Sequence, residues 1–231
     1  MPIARDNSSS GSGSGTSFTK AFTCAGANRL VFVALESGNS FATGVTYDGV
    51  AMTFIDSQIF GGHHWELWYL IAPSTTTNAN IVASYGATSQ SYIDMEVSSY
   101  TGVNQSMTYI GGGATDNFTH TNGGSPLTTN ITTKADNSWT FLFGADVTSG
   151  TPPTASTGSN QVTTASDGAA VYDSNAALSP AGSWGMTLTF ATTIYTIMAS
   201  FSPAVAASTN TEWSHPTNQP SSHWNQNIGF A

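Results

Sequence analysis

Charge is what this chain has least of: its 231 residues carry only 4 Lys and Arg against 13 Asp and Glu, a formal net charge of −9 with 7% charged residues. A typical soluble domain is about 25% charged. With Arg5, Lys20, Arg29 and Lys134 as the only cations, no basic patch exists to neutralise phosphates, so nucleic acid is excluded as a partner and anionic membrane surfaces are disfavoured. The single cysteine, Cys24, closes no intrachain disulfide and reads as a small buried hydrophobe in a strand. Missing too are any apolar run near the ~20 residues that span a bilayer and any segment with helical periodicity. The first residues lack the apolar stretch of a secretory signal, and the expectation is a product used inside a cell or released by another route.

Polarity is supplied instead by neutral groups, 34 Thr and 31 Ser among them, with 23 Gly. These residues favour strands and turns over helices. From Phe18 to Ala204 short strand-like runs alternate with turn signals: FTKAFTC, RLVFVALE, GVTY, VAMTFIDSQIF, HWELWYLIA, ANIVASY, SYIDMEVSSY, SMTYI, LTTNITT, SWTFLFGA, NQVTTAS, AAVYD, WGMTLTF and TTIYTIMASF. Asp48-Gly49 is the strongest hairpin signal, because a type I′ turn needs positive φ at both central positions. The expected fold is all-β, a single jelly-roll-like antiparallel β-sandwich over residues 18–204 with extended N- and C-terminal arms.

In Tyr92–Val97 the residues Ile93, Met95 and Val97 share one face and Tyr92, Asp94 and Glu96 the other, which predicts a half-buried strand with its polar face in water. Leu30–Leu35 and Leu67–Ile71 are apolar on both faces, which predicts a second covering beyond the opposing sheet, by a loop or by a partner. Residues 1–17, with their NSSSGSGSGTS run, have too little apolar area to offset their ordering entropy and read as a flexible arm. Residues 205–231 contain Trp213, His215, Trp224 and Phe230 among prolines, too irregular for a strand and too aromatic for a solvated linker, and read as a docking arm.

The stretches Val45–Thr53, Leu67–Pro73, Ser99–Gln105 and Ala199–Ala204 carry the patterns V-T-Y-x-G-V-x-M-T, L-W-Y-L-x-x-P, S-Y-x-G-V-x-Q and A-S-F-x-P-A. In these the chain resembles a jelly-roll-like β-sandwich domain of phage virion structural proteins and of phage-derived and bacterial surface proteins. The resemblance implies a virion or appendage component, with other copies of the chain and other virion proteins as partners, and brings no catalytic residue and no cofactor. Neither terminal arm belongs to the pattern.

Chemistry read from the residues themselves is sparse. Asp94 and Glu96 place two carboxylates on one strand face, as glycoside hydrolysis needs, but Tyr92 and Val97 stand where a jelly-roll glucanase has its further carboxylate. His63-His64-Trp65-Glu66 offers only His64 and Glu66 on a common face, two ligands rather than a metal site, and the histidines read as loop residues after Gly61-Gly62. Gly111–Gly113 lacks the Lys-Ser/Thr of a phosphate loop, and no G-x-S-x-G elbow exists. Trp65, Trp68, Tyr92, Tyr109 and Trp184 are candidates to stack on a sugar, a host surface glycan being the ligand of that alternative reading. The preferred expectation is a non-enzymatic structural subunit, since Ser and Thr hydroxyls are desolvated at far lower cost than unpaired charges.

Overall fold

The computed structural model describes residues 1–109, 114–146, 151–155, 159–164 and 168–205. The expected all-β, antiparallel sandwich architecture is what these residues form, with no helix among them. In chain order the strands are β1 (Ala4–Gly15), β2 (Ser17–Phe22), β3 (Leu30–Ser37), β4 (Gly44–Tyr47), β5 (Val50–Ala51), β6 (Thr53–Phe60), β7 (His63–Ile71), β8 (Ala79–Ser84) and β9 (Gln90–Thr101). They continue as β10 (Phe118–Gly124), β11 (Leu127–Thr132), β12 (Trp139–Asp146), β13 (Thr154–Ala155), β14 (Asn160–Thr164), β15 (Ala169–Asp173), β16 (Ser183–Thr189) and β17 (Thr193–Phe201). Asp48 and Gly49 turn β4 into β5 at φ of 50° and 78°, the predicted type I′ geometry.

The layers number four. An inner sheet β1-β9-β3-β7-β6 carries an outer sheet β2-β8-β4-β5 on its back, and a second inner sheet β10-β17-β12-β15-β14 carries β11-β16-β13. Strand alternation produces this directly. Phe32 and Ala34 of β3 point into a central core between the inner sheets, while Val31, Val33 and Leu35 point into the core of the first outer sheet. Likewise Phe141 and Phe143 of β12 face the centre, and Leu142 faces Met186 and Leu188 of the second outer sheet. The doubly apolar runs therefore have both coverings from their own chain, not from a loop or a partner.

The second half repeats the first. Strand for strand, β10-β17-β12-β15-β14 matches β1-β9-β3-β7-β6, and β11-β16-β13 matches β2-β8-β4. Registers agree: Leu30 pairs with Tyr100 as Trp139 pairs with Phe201. Asn28 and Asn137, both left-handed at φ of 52° and 61°, stand two residues before β3 and β12. The inner sheets meet with their lateral order reversed, β1 and β9 against β14, β9 against β15 and β6 against β17. A pseudo-twofold axis thus runs between β3 and β12, where the rings of Phe32 and Phe141 stack at 4.7 Å, a contact worth about 0.5–1.5 kcal/mol beyond its buried area.

The N-terminal segment departs from expectation. Rather than a flexible arm, residues 4–15 are an edge strand laddered to β9 along most of their length. Three features hold it. Ile3 is buried just before the strand. Arg5 donates from Nε and Nη2 to the buried carboxylate of Asp173 on β15, at 2.8 and 2.6 Å. Gly11 and Gly13 of the Ser-Gly alternation lie on the side of Phe18, where a Cβ at Gly13 would come within 2.6 Å of the ring. The composition that reads as a tether is here a steric requirement for close approach between strands.

Candidate functional site

One end of the central interface gathers the acid groups. Glu36 closes the apolar run of β3 and points between the inner sheets, with Asp94 opposite it on β9 and Glu96 on the same strand face. His63, first residue of β7, sets its Nδ1 2.7 Å from Glu36 Oε1. The Tyr92 hydroxyl donates to the same oxygen at 3.3 Å and also contacts His63 Nδ1. Trp65 stacks on His63 and, across the interface, on Tyr195 at 4.8 Å. The predicted wet face of β9 is thus corrected. Asp94 and Glu96 are 1% and 0% exposed, because the second inner sheet covers the face that alternation assigned to water. A sugar cannot be flanked by these two carboxylates.

The histidines are strand residues, not loop decoration. His63 turns toward the central interface and His64 toward Phe41, edge-on at 4.8 Å. Burial holds the His64 pKa below its ordinary value. Glu66, expected to share a usable face with His64, is buried in the first outer core, where it accepts a hydrogen bond from the Ala42 amide at 2.8 Å. Desolvation pushes its carboxyl up to about 7. Among the described residues no group of three or more His, Cys, Asp or Glu is arranged to hold a metal ion.

The five aromatics proposed for sugar stacking are not brought together. Trp65, Trp68 and Tyr109 are core residues; Trp68 packs edge-on against Phe54, and the Tyr109 hydroxyl donates to Ser200 O at 2.6 Å. Tyr92 and Trp184 are half-buried in different halves, the first engaged with Glu36 and the second donating from Nε1 to Pro180 O at 3.3 Å. Trp213, His215, Trp224 and Phe230 lie outside the described residues.

At the opposite end of the interface the start of the chain meets the exit from β17. Met1–Ile3, leading into β1, and Pro203–Ala204, leaving β17, border a cleft of about 430 Å³ with Trp139 and Ala177 on its other walls. Sequence reasoning missed this cleft and the Glu36–His63 contact. The available signals were an acidic residue ending the apolar run of β3 and a Trp opening β12.

Cations are largely consumed inside the chain. Arg5 is paired with Asp173, Arg29 donates to Pro73 O and Gly26 O at 2.8 and 2.7 Å, and Lys134 donates to Ala114 O at 2.7 Å. Among the described residues seven carboxylic side chains are buried: Glu36, Glu66, Asp94, Glu96, Asp116, Asp146 and Asp173. The exterior is therefore poorer in charge than the composition alone implies. Comparison with known proteins yields no matching family model, no matching curated protein and no matching solved structure.

Proposed function

We propose that this chain is a non-enzymatic structural subunit of a phage or phage-like particle, a jelly-roll-like module serving as capsid decoration, head fibre or tail appendage. Its partners are other copies of itself and other virion proteins. The observation that carries the reading is the depletion of charge from the outside. With seven carboxylates interred and three of the four cations hydrogen-bonded within the chain, the exterior is dressed mainly in Ser, Thr, Asn and Gln. Such groups are desolvated at a contact for roughly 1–3 kcal/mol each when left unmet and far less when paired, whereas an unpaired charge costs several times more. Neutral faces therefore pack against neighbours at low penalty.

The C-terminal segment supplies the directional contact, while the N-terminal segment, built into the sheet, is part of the body. Mass photometry of the purified chain should show association that persists between low and high salt, because screening acts on charges, of which this surface carries few. Deleting residues 212–231 should abolish incorporation into particles while leaving the fold intact. A chain that stays monomeric at every concentration and salt, or a deletion that incorporates undiminished, would overturn the proposal.

A further inference from the structure

Between β3 and β4 the chain runs through residues 38–43 across the outer face of β7 without joining a sheet. Side chains hold it there. Asn39 and Ser40 donate their amides to Gln90 Oε1 at 2.8 and 3.1 Å, and the Ala42 amide donates to Glu66 Oε2 at 2.8 Å. The Ser37 hydroxyl donates to Ser40 O and the Gln90 side-chain nitrogen to Ser40 Oγ, each at 2.8 Å. Backbone bonds close the two roots, from Gly38 N to Tyr92 O and from Thr43 N to Ser84 O. Beneath this span lie two titratable residues on one face of β7. Phe41 stands edge-on to His64 at 4.8 Å, and Ala42 follows over Glu66.

We propose that residues 39–42 are a flap that lifts off β7 when Glu66 ionises. A buried carboxylate needs several hydrogen bonds to offset its lost hydration, and Glu66 has the Ala42 amide and, beside it, the Trp68 indole. Burial outweighs both and raises the carboxyl from 4.5 to about 7. Its neighbours on the surrounding elements carry no charge: Leu35 of β3, Ser57 of β6 and Tyr85 after β8, the last itself raised in pKa by burial. Asp94 of β9 acts on Tyr85 and not on Glu66. To hydrate the ionised group the strands around it would have to break ladders, whereas the flap gives up bonds to two side chains. Local opening proceeds through the least-held segment. A hydrated carboxyl returns to its ordinary range, so closure is fully favoured below pH 4.5, weakens tenfold for each pH unit above it and levels off past 7, about 300-fold in all. His64, lowered by burial, favours lifting on the acid side, and Glu66 is not among the groups that act on it. Lifting bares His64 and Glu66 beside Ile59 of β6, already 58% exposed. Glu66 thus makes neutral water favour, and acid disfavour, an added contact face on this side. The inference goes beyond the assembly reading and does not depend on it.

Amide exchange of the full chain at pH 4, 6 and 8, corrected for the intrinsic rate, tests the flap in wild type and Glu66→Gln. The ratio of their opening constants over residues 39–42 cancels the contribution of His64. It should be near one at pH 4, about 30 at pH 6 and about 300 at pH 8, with these amides exchanging far faster than those of β12 throughout. A ratio that stays flat with pH would overturn the flap, as would exchange no faster than in β12, the mark of global unfolding. A second variant, Gln90→Ala, removes the clamp on Asn39 and Ser40. It should raise opening by about tenfold or more at all three pH values while keeping the same step with pH. Unchanged opening in folded Gln90→Ala would count against a segment held by its side chains.

Discussion

Replacing Glu66 with Gln should stabilise the protein at neutral and alkaline pH and leave it unchanged in acid. The carboxyl lies in the first outer core, where burial raises its pKa from the ordinary 4.5 to about 7. The folded state therefore holds the proton more tightly than the unfolded chain. Stability associated with the neutral form is fully present below pH 4.5 and declines as pH rises toward 7. At about 1.4 kcal/mol for each pH unit between the two values, the ionised side chain costs the fold about 3 kcal/mol above pH 7. Asp116, raised by burial to about 6 from 3.8, acts in the same direction over a lower window. Glu66→Gln keeps an oxygen for the Ala42 amide and removes the ionisation. Urea unfolding at pH 4, 6 and 8 should show wild type losing stability across the series, and the variant exceeding it by about 3 kcal/mol at pH 8 with little difference at pH 4. Equal pH slopes in the two proteins would refute the reasoning.

Three further changes probe other parts of the fold. Arg5→Ala leaves the Asp173 carboxylate buried without its cation and should cost about 3–5 kcal/mol, seen in urea midpoints and as loss of amide protection in residues 4–15; the Arg5→Ala, Asp173→Ala double variant should recover part of the loss. Gly13→Val forces a side chain into the Phe18 ring and should cost about 1–3 kcal/mol, whereas Ser12→Val, on the opposite face of the same strand, should be tolerated. Tyr92→Phe removes a donor from buried Glu36 and should lower stability by about 1–3 kcal/mol, measured by thermal unfolding.

Alternation along β9 separated Ile93, Met95 and Val97 from Asp94 and Glu96 correctly, but period two distinguishes faces without saying what covers them. Here the second half of the chain covers the polar one. The strands most visible in the sequence are those with apolar side chains on at least one face. The two long strands that escaped, β1 and β10, are equivalents in the repeat, each an edge rich in Gly, Ser, Thr or Asn that is held by its ladder and by a few anchors. SMTYI read as a strand, but Met107 and Tyr109 plug the end of the interface without joining a sheet. The repeat was obscured because equivalent positions exchanged chemistry, as when Tyr69 in one half stands where Asp173 stands in the other.

A homodimer must accept every substitution twice, once on each side of its axis. Two copies fused into one chain escape that rule. The rings of Phe32 and Phe141, which touch at the axis, stay alike, while Glu36 is matched across it by Ala145. Covalent linkage has let the two halves divide the work at one end of their seam, one supplying the buried acid and the other only the small apolar side chain that faces it.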